Sequence, residues 1–198
     1  LALRERATDD DTGLSQLLST LGGHYLQVDQ PARGEEMIRR ALELRRSQLG
    51  PDHIELAPMH INLGAAELEL KRYDAARADY ARGLELWAER AGPDHPDTLS
   101  AHLGLARLEL ELENTEQALA HGERALEVSG GDGPDDPRSF PARLMLARVR
   151  HAAGDLAEAR ATAALALKIA ESPEVLTADE GDAALLSACV VALSGLAH

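Results

Sequence analysis

Three loops carry residues that could ligate a metal or move a proton: Asp52-His53, Asp94-His95 and Asp135-Asp136. Carboxylate and imidazole groups do this when several converge on one point. These pairs recur about 42 residues apart, one per period, so they cannot converge on a single ion, and capping of helix starts is the role expected of them. His60 and His102 stand one period apart as well. Stacked helices could bring them together as a ligand pair or pH switch, but packing or a surface position is favoured. Nucleophilic catalysis needs Ser or Cys with a base and an orienting acid, and the chain has neither a G-x-S-x-G turn nor a Cys-His signature. The glycines at Gly22-Gly23 and Gly130-Gly131-Asp132-Gly133 follow no strand and lack the lysine of a phosphate loop. No catalytic residue, metal site or cofactor is expected. Trp87 and Tyr80 are most simply residues that pack between helices, with a ligand-facing platform as the other reading.

Composition narrows the class of protein. Of 198 residues, 44% are hydrophobic and only 3% aromatic, and Ala and Leu carry most of the apolar content. Both combine burial with high helix propensity, so an all-helical chain is expected. Asp and Glu number 34 against 20 Lys and Arg, a formal charge of -14. Such a charge repels the phosphates that dominate nucleic-acid affinity, so nucleic acid is not an expected partner. The single cysteine, Cys189, cannot form an internal disulfide, and a reducing, cytoplasmic setting is expected. The start shows no signal-peptide pattern, and the longest apolar stretch, Ala183 to Ala197, is shorter than the roughly 18 to 20 residues that span a bilayer, so no membrane segment is expected.

The elements that position these residues follow from a repeat. The segments ALELRR at Ala41, GLELWA at Gly83, ALEVSG at Ala125 and ALKIAE at Ala166 align, and the opening LALRER falls in the same register. Their first leucines, Leu1, Leu42, Leu84, Leu126 and Leu167, are spaced by 41, 42, 42 and 41 residues. Each period holds two apolar-periodic segments, a short polar break and a longer Gly/Pro/Asp loop, the plan of a helical hairpin. Leu followed by a tiny residue recurs at Leu21-Gly22, Leu63-Gly64, Leu105-Ala106 and Leu146-Ala147. Twelve residues on lie Gly34, Ala76, Ala118 and Ala159, and seven further Ala41, Gly83, Ala125 and Ala166. Small side chains at fixed places let two helices approach closely where they cross. Turns are expected at Asp29-Gln30-Pro31, Lys71-Arg72-Tyr73, Glu113-Asn114-Thr115 and Gly154-Asp155-Leu156, with Tyr73 and Leu156 as buried anchors beneath them. The linkers LGPDHIE, AGPDHPD and DGPDDPR should end one helix at Gly, block it with Pro, and start the next near an Asp or Thr.

This pattern of Leu-Gly, a small residue twelve on and Ala-Leu seven further resembles the tetratricopeptide repeat, and the 42-residue period with GPDHPD-like linkers is similar to the longer variant of kinesin light chains and many bacterial proteins. The resemblance implies an all-α, α-α superhelix, a solenoid of antiparallel helical hairpins. It implies a ligand surface on the concave face of the first helices. Carried over by register, that face holds Gln16, Ser19, Gly23, Leu26 and Gln27 in the first unit, and Ile61, Asn62, Ala65, Leu68 and Glu69 in the second. The third contributes Leu103, Arg107, Leu110 and Glu111, and the fourth Leu144, Met145, Arg148 and His151. Apolar residues beside Arg and Asn suit a peptide or helix lying in a groove. The leucines among them serve equally well as packing between helices.

Residues 1–9 are expected to be the end of a truncated repeat, so that the chain begins inside a longer array. Complete repeats are expected over 10–50, 51–92, 93–133 and 134–172, and a C-terminal capping helix within 173–198, over Asp179 to Ala197. The function expected is a non-catalytic scaffold for a protein or peptide partner. The alternative is the regulatory or substrate-recruiting region of a larger bacterial enzyme such as a Ser/Thr protein kinase. Self-association through the array's ends, near Leu1 and Leu3, is a further possibility.

Overall fold

The computed structural model describes residues 2–130, 133 and 136–170, with side chains from residue 11 onward. The expected capping helix at 179–197 and Cys189 lie outside the described residues. Among those residues there are eight α-helices and no strand: α1 (Ala2–Gln27), α2 (Pro31–Leu49), α3 (Ala57–Glu69), α4 (Tyr73–Ala91), α5 (Leu99–Glu111), α6 (Thr115–Val128), α7 (Phe140–Ala152) and α8 (Leu156–Ala170). The fold is therefore all-α, of the helical-repeat class. None of these helices is long and apolar enough to cross a membrane. The chain divides into two compact units, Leu1–Gly104 and Leu105–His198, with the division inside α5.

The hairpin turns are made the same way each time. Asp29, Lys71, Glu113 and Gly154 adopt φ of 56°, 58°, 61° and 84°, the left-handed conformation that lets a helix end and the chain reverse. The residue after each donates its backbone N–H back across the turn: Gln30 to the Tyr25 carbonyl, Arg72 to Glu67 and Asn114 to Glu109, all at 2.8 Å, and Asp155 to Arg150 at 3.0 Å. Only the fourth hairpin uses glycine here, although a left-handed non-glycine residue costs about 1 kcal/mol or more. Lys71→Gly is accordingly expected to stabilise the chain by about 1 kcal/mol, read as a higher urea midpoint with an unchanged slope. A neutral or lower midpoint would mean that the Lys71 side chain contributes something its exposed position conceals.

The linkers are built alike as well. Gly50 and Gly92 hold φ of 85° and 95° with ψ of 166° and 156°, a region open to glycine alone. Each linker then makes a 3₁₀ turn, at Ile54–Leu56, Pro96–Thr98 and Pro137–Ser139. The cap comes from the second member of each acidic or histidine pair: His53 Nδ1 accepts from the Glu55 N–H and His95 Nδ1 from the Asp97 N–H, both at 3.3 Å, and Asp136 Oδ1 from the Arg138 N–H at 2.8 Å. Thr98 ends the second 3₁₀ turn, its hydroxyl donating to the His95 carbonyl, and α5 starts one residue later. Pro31, Pro58 and Pro141 fall in the first turns of α2, α3 and α7, where a missing N–H costs nothing.

Ala2–Gln27 is one continuous helix, and Thr8 to Thr12 contain neither the glycine nor the proline that breaks the chain at the other linkers. One expectation is corrected. Leu156 is not a buried anchor: it is 47% exposed, since residues 151–155 around it are themselves exposed and leave it uncovered. Tyr73, its counterpart under the second turn, is half-buried.

In the first unit α1 packs on α2, α2 on α3, and α3 on α4. Close approach occurs at the small residues. A methyl group added at Gly22 would lie 2.5 Å from Ile38 Cγ1, one at Gly34 3.0 Å from the Gly22 carbonyl oxygen, and one at Gly64 3.1 Å from the Ala76 carbonyl oxygen. Ile38, Leu56, Leu68 and Leu86, each fully buried, contribute roughly 1.5–3 kcal/mol apiece. In the second unit α6 packs on α7 and α7 on α8, and Leu146, Val149 and Ile169 of α7 and α8 are buried.

A chain of charges runs through the first unit. Arg72 bonds Glu35, Glu35 bonds Arg39 at 2.8 Å, and Arg39 reaches Glu67 at 3.2 Å. Beside them His60 Nδ1 meets Asp79 Oδ1 at 2.6 Å. Glu35 and Glu67 are buried, and Glu67 Oε2 has no hydrogen-bond partner. Burial pushes the Glu67 carboxyl up to about 7, and the neighbouring Asp79 and Glu35 reinforce the shift while Arg39 opposes it. In the second unit burial pushes His121 down, against the pull of Glu109.

Candidate protein-binding site

The first helices α1, α3, α5 and α7 carry every residue expected on the ligand surface, and their exposure differs widely. In the first unit Gln16 and Gln27 are exposed and Ser19 is half-buried on α1; Asn62 is half-buried and Glu69 exposed on α3; Leu103 is half-buried on α5. Ile61 is only 6% exposed, and its Cγ1 lies 2.7 Å from where a Gly83 methyl would stand, so most of its surface packs on α4. Leu68 is buried between helices as well. In the second unit Arg107 lies 3.4 Å from Glu111, one turn along α5, while Arg148 and His151 are exposed on α7. Leu144 packs against the cluster of Phe140, Ala166, Ile169 and Ala170.

Within the first unit four of these residues line cavities. The larger, about 620 Å³, is bounded by Thr12, Ser15, Gln16, Ser19 and Thr20 of α1, by Arg45, Ile54, Glu55, Pro58 and Met59, and by Trp87. A wall of hydroxyls and an amide thus faces a floor of Ile, Pro, Met and Trp. Its two charges neutralise each other, since the Arg45 guanidinium bonds Glu55 and also donates to Thr12 Oγ1 at 3.0 Å. The second, about 370 Å³, is bounded by Pro58, Ile61, Asn62, Trp87, Pro96, Asp97, Leu99 and Ser100. Pro58 and Trp87 belong to both. Gln27 and Glu69, near the far ends of their helices, line neither.

Trp87 is the residue whose part sequence reasoning understated. Its indole stacks on the His95 ring with centroids 4.4 Å apart and planes 7° from parallel. The same His95 caps the following 3₁₀ turn, so the cap holds the stack in place. The signal was present in the sequence: the chain's only tryptophan stands just over one turn before a Gly-Pro linker whose histidine follows eight residues on. Corresponding positions in the neighbouring periods hold Arg45 and Ser129, so the platform occurs in one repeat. The indole Nε1 is buried without a hydrogen-bond partner. Trp87→Phe, which keeps an aromatic ring and removes this unsatisfied donor, is therefore expected to leave stability within about 1 kcal/mol of the original or to raise it. Trp87→Ala should lose about 2–3 kcal/mol. Circular-dichroism melts of both variants decide it, and equal losses would show that the N–H is satisfied.

The family model described as tetratricopeptide repeat matches residues 13–86 and again 55–130. Among curated proteins no relative matches. Among solved structures, BtubC (BKLC) from P. vanneervenii superposes with a TM-score of 0.67 at 23% identity, over 79% of this chain and 63% of that one. The chain thus corresponds to less than two thirds of BtubC. The nearly identical TPR-like repeats of a kinesin light chain from Podosopora anserina superpose with a TM-score of 0.67 at 15% identity, over 93% of this chain and 97% of that one. YrrB, described as a TPR protein with an unusual peptide-binding site, gives 0.52 at 16% identity, over 95% and 91%. At these identities the likeness is one of fold.

Proposed function

The chain belongs to the tetratricopeptide repeat family, and on that premise we propose that it is a non-catalytic interaction scaffold that takes a peptide, or an extended segment of a partner domain, along α1 and α3 of its first unit. The observation that carries this reading is the pair of cavities that meet at Pro58 and Trp87. Their floor is apolar, and their rim offers uncharged hydrogen-bonding groups at Gln16, Ser19, Asn62 and Ser100. Extended peptides bind in this manner, with side chains in pockets and backbone amides bonded to the rim. YrrB, of the same fold, is described by its peptide-binding site. In the second unit, the proposal assigns Arg107, Arg148 and His151 to the ligand surface of α5 and α7.

The test is a selection from a random peptide display library against the whole chain, followed by titration of the selected peptide using the emission of the single tryptophan. The combined Gln16→Ala, Ser19→Ala, Asn62→Ala variant is expected to bind about tenfold more weakly or worse, with unchanged helicity. A selected peptide that binds both proteins alike, without perturbing Trp87, would remove the inner face of the first unit from consideration.

A further inference from the structure

On the side of α1 away from Gln16 and Ser19 lies an apolar stripe. Leu14 is 38% exposed, Leu17 64% and Leu21 38%, and at i, i+3 and i+7 they share one helix face. One 42-residue period later the same register positions hold Leu56, Met59 and Leu63, which are 0%, 9% and 4% exposed. The chemistry is alike and the exposure is opposite. The difference is α2, which packs on α3. Its Leu42 joins the cluster of Leu56, Ala57 and Leu86, and also, with Met37 and Leu44, the cluster of Leu18, Ala41 and Met59. Among the described residues α1 packs on α2 and touches α3, through faces other than the one that carries the stripe.

Leucines scattered singly on a surface are ordinary, but three in one stripe, at positions covered elsewhere in the same chain, mark a contact surface. We propose that the Leu14–Leu17–Leu21 face is a docking site for an amphipathic helix of another polypeptide with the chemistry of α2: a small residue followed directly by leucine, with further apolar residues one turn before and two residues after, as in Met37, Ala41, Leu42 and Leu44. The interface would extend one already built inside the chain, where α2 packs on α3. The face is separate from the inner cavities, so this docking does not depend on the peptide reading above.

The probe is a labelled peptide of residues 30–50, held helical by a hydrocarbon staple between positions 36 and 40, which are exposed on α2. Titrated into the full chain it should bind saturably, and Leu17→Lys in the chain should weaken binding about tenfold or more. Leu42→Lys in the peptide should do the same, whereas Gln16→Ala with Ser19→Ala should leave binding unchanged. Leu17 is largely exposed, so its replacement leaves the fold intact, as an unchanged melt would verify. No saturation at about 1 mM peptide, or binding indifferent to Leu17→Lys, overturns the proposal. A chain that sediments alone as a dimer dissolved by Leu17→Lys overturns the assigned occupant in favour of a second copy.

Discussion

Gly104→Ala is expected to destabilise the protein by about 2–3 kcal/mol, although the same change in an exposed helix would stabilise it by about 1 kcal/mol. The added methyl would lie 2.2 Å from Tyr80 Cζ, 2.4 Å from its hydroxyl and 2.6 Å from Cε1. The Tyr80 ring cannot swing aside: it is 2% exposed, and its Cγ end is pressed against Gly64, where a methyl would stand 3.0 Å away. One ring thus sits between two glycines, one on α3 and one on α5, and glycine at both is what lets α4 seat it. Urea titrations of Gly104→Ala, Tyr80→Leu and the double variant form the check. The double variant should be more stable than the sum of the two losses predicts, by about 1 kcal/mol or more. Additive losses, or a Gly104→Ala protein as stable as the original, would show that the α5 backbone yields.

The second large effect is in pH. Glu67 has its carboxyl raised from an ordinary 4.5 to about 7 in the folded protein. A raised acid holds its proton in the folded state at pH values where the unfolded chain has already released it. Folded protein then binds more protons than unfolded, and stability falls as pH rises from about 4.5 to 7. The contribution is fully present below the unfolded value and lost above the folded one, on the order of 3 kcal/mol in all. Glu67→Gln keeps the shape, can still accept from Arg39, and has no proton to lose. Its stability should change less between about pH 5.5 and 8 than that of the original, and at the upper end it should equal or exceed it. Because the chain's net negative charge also varies with pH, the difference between the two profiles is the quantity to read. Parallel profiles would assign the pH dependence to other groups.

Much of the fold was legible because its devices are local. Asp29, Lys71, Glu113 and Gly154 each open a turn triplet recognisable in the sequence, and each proves to be the left-handed residue of that turn. The linkers were recognisable for the same reason: Gly50-Pro51 and Gly92-Pro93 act through their own backbone torsions. Capping was legible for each Asp-His pair but not which member supplies it: His53 and His95 do, because either side chain of the pair could reach an N–H and only the torsions of the linker choose.

The candidate site was legible in part. Gln16, Ser19, Ile61 and Asn62 line the cavities, but Ile61 and Leu144 pack largely between helices, Trp87 was read first as a packing residue, and Pro58 and Met59 were not singled out as lining residues. Helical register states which face a residue occupies, not what stands opposite it. By itself the sequence determined the hairpins, their period, their turns and the small residues at their crossings, since these follow from backbone torsions and from spacing along one helix. Only the tertiary structure decided that Leu56 is covered while Leu14 is exposed, that Glu67 rather than Glu69 loses its water, and that Tyr80 fills the space at Gly104. Exposure, desolvation and steric fit are sums over neighbours distant in the chain, and identical repeat positions acquire different neighbours.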